Sequence, residues 1–190
     1  MWTVAATETA LVVRAQRGDQ LAFTELVTRH HTRLIAAARA LVGHTDAAED
    51  ISQDAFVEAY RSIRRLQRPH RFGAWLFGIM RHKALNHLRS AGREVPLCWA
   101  AEEADPSQAP PAADSSLELH QRLRQLPERD REILAARYLQ ELSYEEIAET
   151  LGVSVNTVRV RCFRAKQRLR ALLSETDEPA RRAAAEEGGR

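Results

Sequence analysis

A chain of 190 residues makes one domain of ordinary size or two small ones and is too short for a large multi-domain enzyme. Hydrophobic residues at 44% and charged residues at 28% can fill a core and still solvate a surface, which excludes wholesale disorder. The net charge of +2 hides an alternation: residues 1–92 carry 13 basic and 8 acidic side chains, 93–116 carry 1 and 5, 117–173 carry 11 and 8, and 174–190 carry 3 and 5.

Two basic units thus flank an acidic connector, a pattern that suits a polyanionic partner and equally a merely solubilised surface. The opening stretch MWTVAATETALVVR has no basic region ahead of a long apolar segment. The longest apolar run, 34–42, is interrupted by Arg39 and falls short of the roughly 18 residues of a membrane span. Cys98 and Cys162 are too few and too distant for a disulfide framework or a four-ligand zinc site. A reduced, cytoplasmic protein without membrane insertion is expected.

Asp19 is placed to cap a helix whose apolar residues Phe23, Leu26, Val27, Leu34, Ala37, Ala38 and Leu41 recur at steps of three and four as far as Gly43. Asp46 then opens a second helix, with Glu49 completing a capping box and Ile51, Ala55, Phe56, Ala59 and Ile63 as the buried stripe. Pro69 breaks the chain in RLQRPHR, and a third helix carries Phe72, Trp75, Leu76, Ile79 and Met80 to an end near Gly92. Residues 93–116, with Pro96, Pro106, Pro110 and Pro111 among Ala, Ser and acids, read as a flexible acidic linker. No alternating apolar run is long enough for a strand.

Residues 117–173 form the second unit. Pro127 sits where a helix begins that continues through Ile133, Leu134 and Tyr138. Ser143-Tyr144-Glu145-Glu146 is a capping box for a short helix with Ile147, Ala148 and Leu151 inside; Gly152 permits a tight turn and Ser154 caps the next helix. These are the parts of a helix-turn-helix. Val155, Val158, Cys162, Ala165, Leu169 and Leu172 share one stripe of the last helix, so Cys162 is read as a small buried hydrophobe. The tail, 174–190, reads as disordered or as a frayed helix end.

Off that stripe lie Asn156, Arg159, Val160, Phe163 and Arg164, with Thr157, Arg161, Lys166 and Arg168 nearby and no acid between Leu151 and Leu173. A basic helix is commonly just a solvated face. An outward valine and phenylalanine among arginines favour DNA instead, because arginine can bond guanine, asparagine adenine, and apolar groups the thymine methyl. Asn156, Arg159, Val160, Phe163 and Arg164 are the candidate base readers; Arg161, Lys166 and Arg168 are candidates for phosphate.

The N-terminal unit offers two more surfaces. Asp50, Gln53, Asp54 and Glu58 lie largely off the apolar stripe of their helix, either to serve its dipole or to dock a basic partner protein. Arg64, Arg65, Arg68 and Arg71 surround the Pro69 turn, followed by Trp75, Arg81, His82, Lys83, Asn86 and Arg89. Basic and aromatic residues beside a loop suit single-stranded nucleic acid, although Trp75 itself is assigned to the core.

The stretches AEDISQDAF (48–56), FGAWLFGIMRHKALNHLR (72–89), LPERDREIL (126–134) and LSYEEIAETLGVSVNTVRVRCFRAKQRLR (142–170), in this order about an acidic linker, resemble the extracytoplasmic-function (ECF) class of bacterial RNA polymerase sigma factors. The resemblance covers about four fifths of the chain. It implies an all-α fold of two small helical domains, 1–92 and 117–173. It implies that Asp50, Gln53, Asp54 and Glu58 bind the polymerase core, and that the loop 66–71 with Arg68, Arg71, Arg81, His82, Lys83 and Asn86 melts and reads the promoter −10 element. Asn156, Thr157, Arg159, Val160, Arg161, Phe163, Arg164 and Lys166 would contact the −35 element. Core polymerase, promoter DNA and an anti-sigma factor are the implied partners; no cofactor, metal or catalytic residue is implied. His82 departs from the family's usual asparagine and Asn156 from its common glycine.

Two other readings compete. A helix-turn-helix regulator acting apart from the polymerase needs only the C-terminal half and leaves the 48–56 helix and the basic loop unexplained. A metal-dependent phosphohydrolase using Asp46, Glu49, Asp50 and Asp54 with histidines finds no HExxH spacing, no P-loop and no nucleophile elbow in its support.

Overall fold

The computed structural model describes residues 7–90 and 115–187, with side chains for 7–90, 119 and 121–174. Among the described residues all regular structure is helical. Helix α1 (Glu8–Gln16), which the sequence reading does not anticipate, is capped by Thr7 and buries Leu11, Val12 and Ala15. Helix α2 (Gln20–Val42) begins as expected, with the Asp19 carboxylate accepting from the Ala22 N–H at 3.1 Å. It ends at Gly43 with φ of 83°, and a Cβ there would come within 2.9 Å of the Arg124 Nε, so both backbone and space demand glycine.

Helix α3 (Thr45–Ser62) corrects one expectation. His44 holds the N-cap position without a side-chain bond, and the proposed Asp46–Glu49 capping box does not form. The helix starts one residue earlier, which puts Asp46 inside the first turn, where its charge meets the helix dipole. Two short 3₁₀ turns, Ile63–Arg65 and Pro69–Arg71, carry the chain into helix α4 (Phe72–Ser90). The expected linker lies outside the described residues except for Ser115 and Ser116, which already belong to helix α5 (Ser115–Gln125).

Pro127 is the N-cap of helix α6 (Glu128–Leu134). The expected unbroken helix through Tyr138 widens instead into a π turn, Ala135–Leu139, whose Gln140 N–H reaches back to the Ala135 carbonyl at 3.0 Å. The reciprocal capping box of helix α7 (Tyr144–Leu151) is present: Glu146 N–H donates to Ser143 Oγ at 3.1 Å and Ser143 N–H to Glu146 Oε2 at 2.8 Å. Gly152 makes the left-handed turn at φ of 68°, and Ser154 Oγ accepts from Thr157 N–H at 3.1 Å to start helix α8 (Val155–Glu187). Helix α8 is described as far as Glu187, into the segment expected to be disordered or a frayed helix end. Residues 174–187 are dominated by Ala, Glu and Arg, strong helix formers that extend a helix already nucleated by packing.

Helix α2 is the spine. It packs against α1, α3 and α4 and also against α5, α6 and the π turn, so one apolar core runs through both helical units. Its anchors include Leu26 and Leu34, with Phe72, Phe77 and Met80 from α4 and Ile133, Ile147 and Val158 from the C-terminal unit, all fully buried. Gly73 and Gly78 bring α4 close to its neighbours; Cβ atoms there would sit 3.4 Å from His30 and 3.6 Å from the Thr150 methyl.

Two predictions follow from local bonds. Ser143→Ala removes one side of the capping box and should destabilise by about 1 kcal/mol, read as a fall of roughly 2–4 °C in Tm. The His30 hydrogen bond holds the half-buried Glu8 carboxyl below its ordinary 4.5, against the opposing effect of burial. A lowered acid contributes stability above its unfolded range and loses it as pH falls through the folded value. Glu8→Gln should therefore cost about 1–3 °C near neutral pH, with the gap to wild type closing as the pH drops below 4.5.

Candidate nucleic-acid interface

Three surfaces emerge, each built on a helix whose opposite side is core. On α8 the buried stripe is Val158, Cys162 and Ala165, flanked by half-buried Val155, Leu169 and Leu172. Burial pushes the Cys162 thiol above its ordinary range, in keeping with an inert packing role. Turned away from this stripe, Asn156, Arg159, Val160, Phe163, Arg164 and Lys166 are all exposed. Phe163 is 64% and Val160 41% exposed, a large apolar investment to leave in water without a partner. Arg159 is braced from behind, its guanidinium 5.7 Å from the Tyr144 ring centroid and 3.7 Å from Glu145. Two of the candidates differ from the rest: Thr157 is half-buried with its hydroxyl 2.8 Å from Ser154 Oγ in the cap, and Arg161 is half-buried on the flank.

On α3 the residues Asp50, Gln53, Asp54 and Glu58 are exposed in a single row. Val57, which sequence reasoning passed over, belongs to the same row and is 43% exposed. Its signal was present: residues 50, 53, 54, 57 and 58 recur at helical spacing, with one apolar residue on the polar side. The row continues onto α4, because Lys83 Nζ lies 3.8 Å from Asp54 and a hollow of about 430 Å³ is lined by Asp50, Asp54, Lys83, Asn86 and His87.

The third surface is the Pro69 turn with the outer side of α4. His82 and Asn86 are exposed and joined at 3.1 Å, and Arg89 donates to the Asn86 Oδ1 at 3.3 Å, so the Asn86 amide is held at both ends. Trp75 is half-buried, packing on Phe72 with ring centroids 6.0 Å apart while one side lines an open groove of about 890 Å³ with Leu66, Ile79, His82, Lys83 and Asn86. The core assignment for Trp75 is therefore only half of its position.

The opposite wall of that groove is α7, through Glu146, Glu149 and Thr150. Sequence reasoning missed this wall and the ion pairs along it. Arg68 Nη1 donates to Glu149 at 3.1 Å, Arg71 pairs with the same carboxylate, and Arg81 pairs with Glu132. Arg33 and Glu141 meet at 2.9 Å farther along the seam. Burial pushes the Glu132 carboxyl up, against the pull of Arg81. Among the described residues no cluster of His, Cys, Asp or Glu is arranged to hold a metal, and no helix is long and apolar enough to cross a membrane.

Comparison with known proteins agrees with this layout. Residues 26–94 match the model of sigma-70 region 2, and residues 116–169 match that of sigma-70 region 4. The ECF RNA polymerase sigma-E factor of Escherichia coli (strain K12) is 35% identical over 85% of this chain and 91% of its own length. Among solved structures, CnrH in complex with the cytosolic domain of CnrY is 29% identical with a TM-score of 0.69, covering 90% of this chain and 99% of that one. The sigma factor RpoE in complex with the anti-sigma factor NepR from Bartonella quintana is 27% identical with a TM-score of 0.65, covering 80% and 96%. With both regions in order on helices of matching topology, the chain belongs to the extracytoplasmic-function family of RNA polymerase sigma factors.

Proposed function

We propose that the chain directs core polymerase to promoters by reading the −35 element with α8 and by opening and holding the −10 element with the Pro69 turn and α4. The observation that carries this is the outward face of α8: exposed Val160 and Phe163 set among Arg159, Arg164 and Lys166, on the second helix of a capped helix-turn-helix. Its dimensions suit the major groove, where the arginine forks and Asn156 address base edges and the apolar pair addresses thymine methyls. Arg161 on the flank serves phosphate, which orients the helix without specifying sequence, whereas Arg168 is engaged by the buried Asp130 at 2.6 Å.

Arg68, Arg71, Arg81 and Lys83 supply cations for a single strand. His82, Asn86 and the open side of Trp75 supply a polar and aromatic wall for unstacked bases, offsetting the cost of unpairing. His82 engages Asn86 directly, so the residue that departs from the family pattern sets the orientation of the amide beside it. The row Asp50, Gln53, Asp54, Val57 and Glu58 docks a basic face of the polymerase core, with opposed charge setting encounter rate and register. The action is binding throughout; no bond is made or broken. An anti-sigma factor is the expected regulator, by analogy with the NepR complex of the Bartonella relative.

In vitro transcription with purified core polymerase and mapping of the start sites tests the whole reading; absence of association with core would end it. Arg164→Ala should weaken binding by roughly 1–3 kcal/mol and relax preference at one −35 base pair; equal binding to every promoter variant would contradict the assignment. Asp50→Arg with Asp54→Arg should lower the rate of core association about tenfold at low salt and less at high salt, measured by surface-immobilised core.

A further inference from the structure

We propose that Gln16 is a positioning residue for the −10 loop, its side-chain amide clamping the backbone where that loop begins. The proposal rests on the reading of the Pro69 turn and α4 as the −10 surface. Gln16 Nε2 donates to the Ile63 carbonyl at 3.0 Å and to the Leu66 carbonyl at 2.8 Å, across 47 and 50 positions of sequence. A primary amide has two hydrogens to give, and here each goes to a different carbonyl. The Ile63 carbonyl also accepts from the Leu66 N–H at 3.1 Å, so the amide and the 3₁₀ turn lock together. Ile63 and Leu66 are buried, whereas Arg64, Arg65, Gln67 and Arg68 are exposed. The clamp grips the two inward residues and so fixes the backbone from which the outward ones project.

Gln16 is itself firmly mounted. It is the last residue of α1, just before Gly18 takes the left-handed conformation at φ of 95° and Arg14 pairs with Asp19 at 2.7 Å. At the other end of the helix Glu8 bonds His30 at 2.9 Å, and the His30 ring meets Phe72, the first residue of α4, edge-on with centroids 5.2 Å apart. Helix α1 also packs against both 3₁₀ turns. It thus reaches the loop's entry through Gln16 and its exit through Glu8 and His30, a strut laid along the segment that presents Arg68 and Arg71. This helix lies ahead of residues 26–94, the stretch that matches region 2. Without the amide, two carbonyls in a half-buried setting lose their donor, and the simplest relief is for the backbone at Leu66 to turn toward water. Such a turn re-aims Arg68, and a site for unpaired bases needs its supporting backbone fixed to about 0.5 Å.

The test uses the full-length chain assembled with core polymerase. Gln16→Met keeps the length and helix propensity of the side chain and removes both donors; Gln16→Glu keeps its shape and turns an acceptor toward the two carbonyls. Hydrogen exchange read by mass spectrometry should rise about tenfold over residues 63–71 in both variants, while α2 and α8 stay as protected as in wild type. On a promoter taken from the start-site mapping, 2-aminopurine in the non-template −10 strand should report opening slowed about three- to tenfold. Association with core and binding to a duplex carrying only the −35 element should be unchanged. Gln20→Met, the same replacement on the exposed first residue of α2, should alter none of these readings. Unchanged exchange over 63–71 would overturn the clamp. Exchange raised across the whole N-terminal unit would assign Gln16 to folding alone and overturn its positioning role. Raised exchange confined to the loop, with opening unimpaired, would overturn the −10 reading of Arg68 and Arg71 while leaving the clamp intact.

Discussion

The pairing of Arg81 with Glu132 is the constraint on which the arrangement of the two units turns. A carboxylate that loses its water is unfavourable unless a cation and good packing replace it, and Glu132 is buried with Arg81 as its partner from the other unit. The pair therefore exists only while α4 and α6 are held together. Two residues earlier on α6, the buried Asp130 accepts from Arg168 of α8 at 2.6 Å. Positions two apart on a helix face different ways. One short helix thus holds α8 with one acid and grips α4 with the other.

The apolar core makes the same connection less specifically. Because α2 packs on both units, their separation is set by the diameter of one helix and the side chains on it. The glycines mark where the fit is closest: Arg124 lies against Gly43, and Thr150 approaches Gly78.

What the sequence discloses is what local chemistry decides. Asp19, Gly43, the Ser143–Glu146 box, Gly152 and Ser154 all act within a few residues of themselves, and each stands where its side chain or its backbone freedom requires. The α8 stripe was readable for the same reason, as was the outward Val160–Phe163 pair. Helix α1 escaped because its buried residues Leu11, Val12 and Ala15 are too few to set a clear helical period. Asp46 and Glu49 had the right spacing for a box, but the helix began one residue early. Nothing local signals the π turn, and nothing local pairs Arg81 with Glu132 or Arg68 with Glu149, partners separated by 51 and 81 positions.

The near absence of lysine bears on that seam. Lys83 and Lys166 are the only two lysines among 28 basic residues, a bias that composition alone cannot assign to function. At the seam the choice has a physical consequence. Glu149 is shared by Arg68 and Arg71, which two planar guanidiniums can do by approaching one carboxylate edge-on, whereas two strongly hydrated ammonium groups crowd each other and give up more water. The same planarity that lets the forks share a carboxylate lets them share a phosphate.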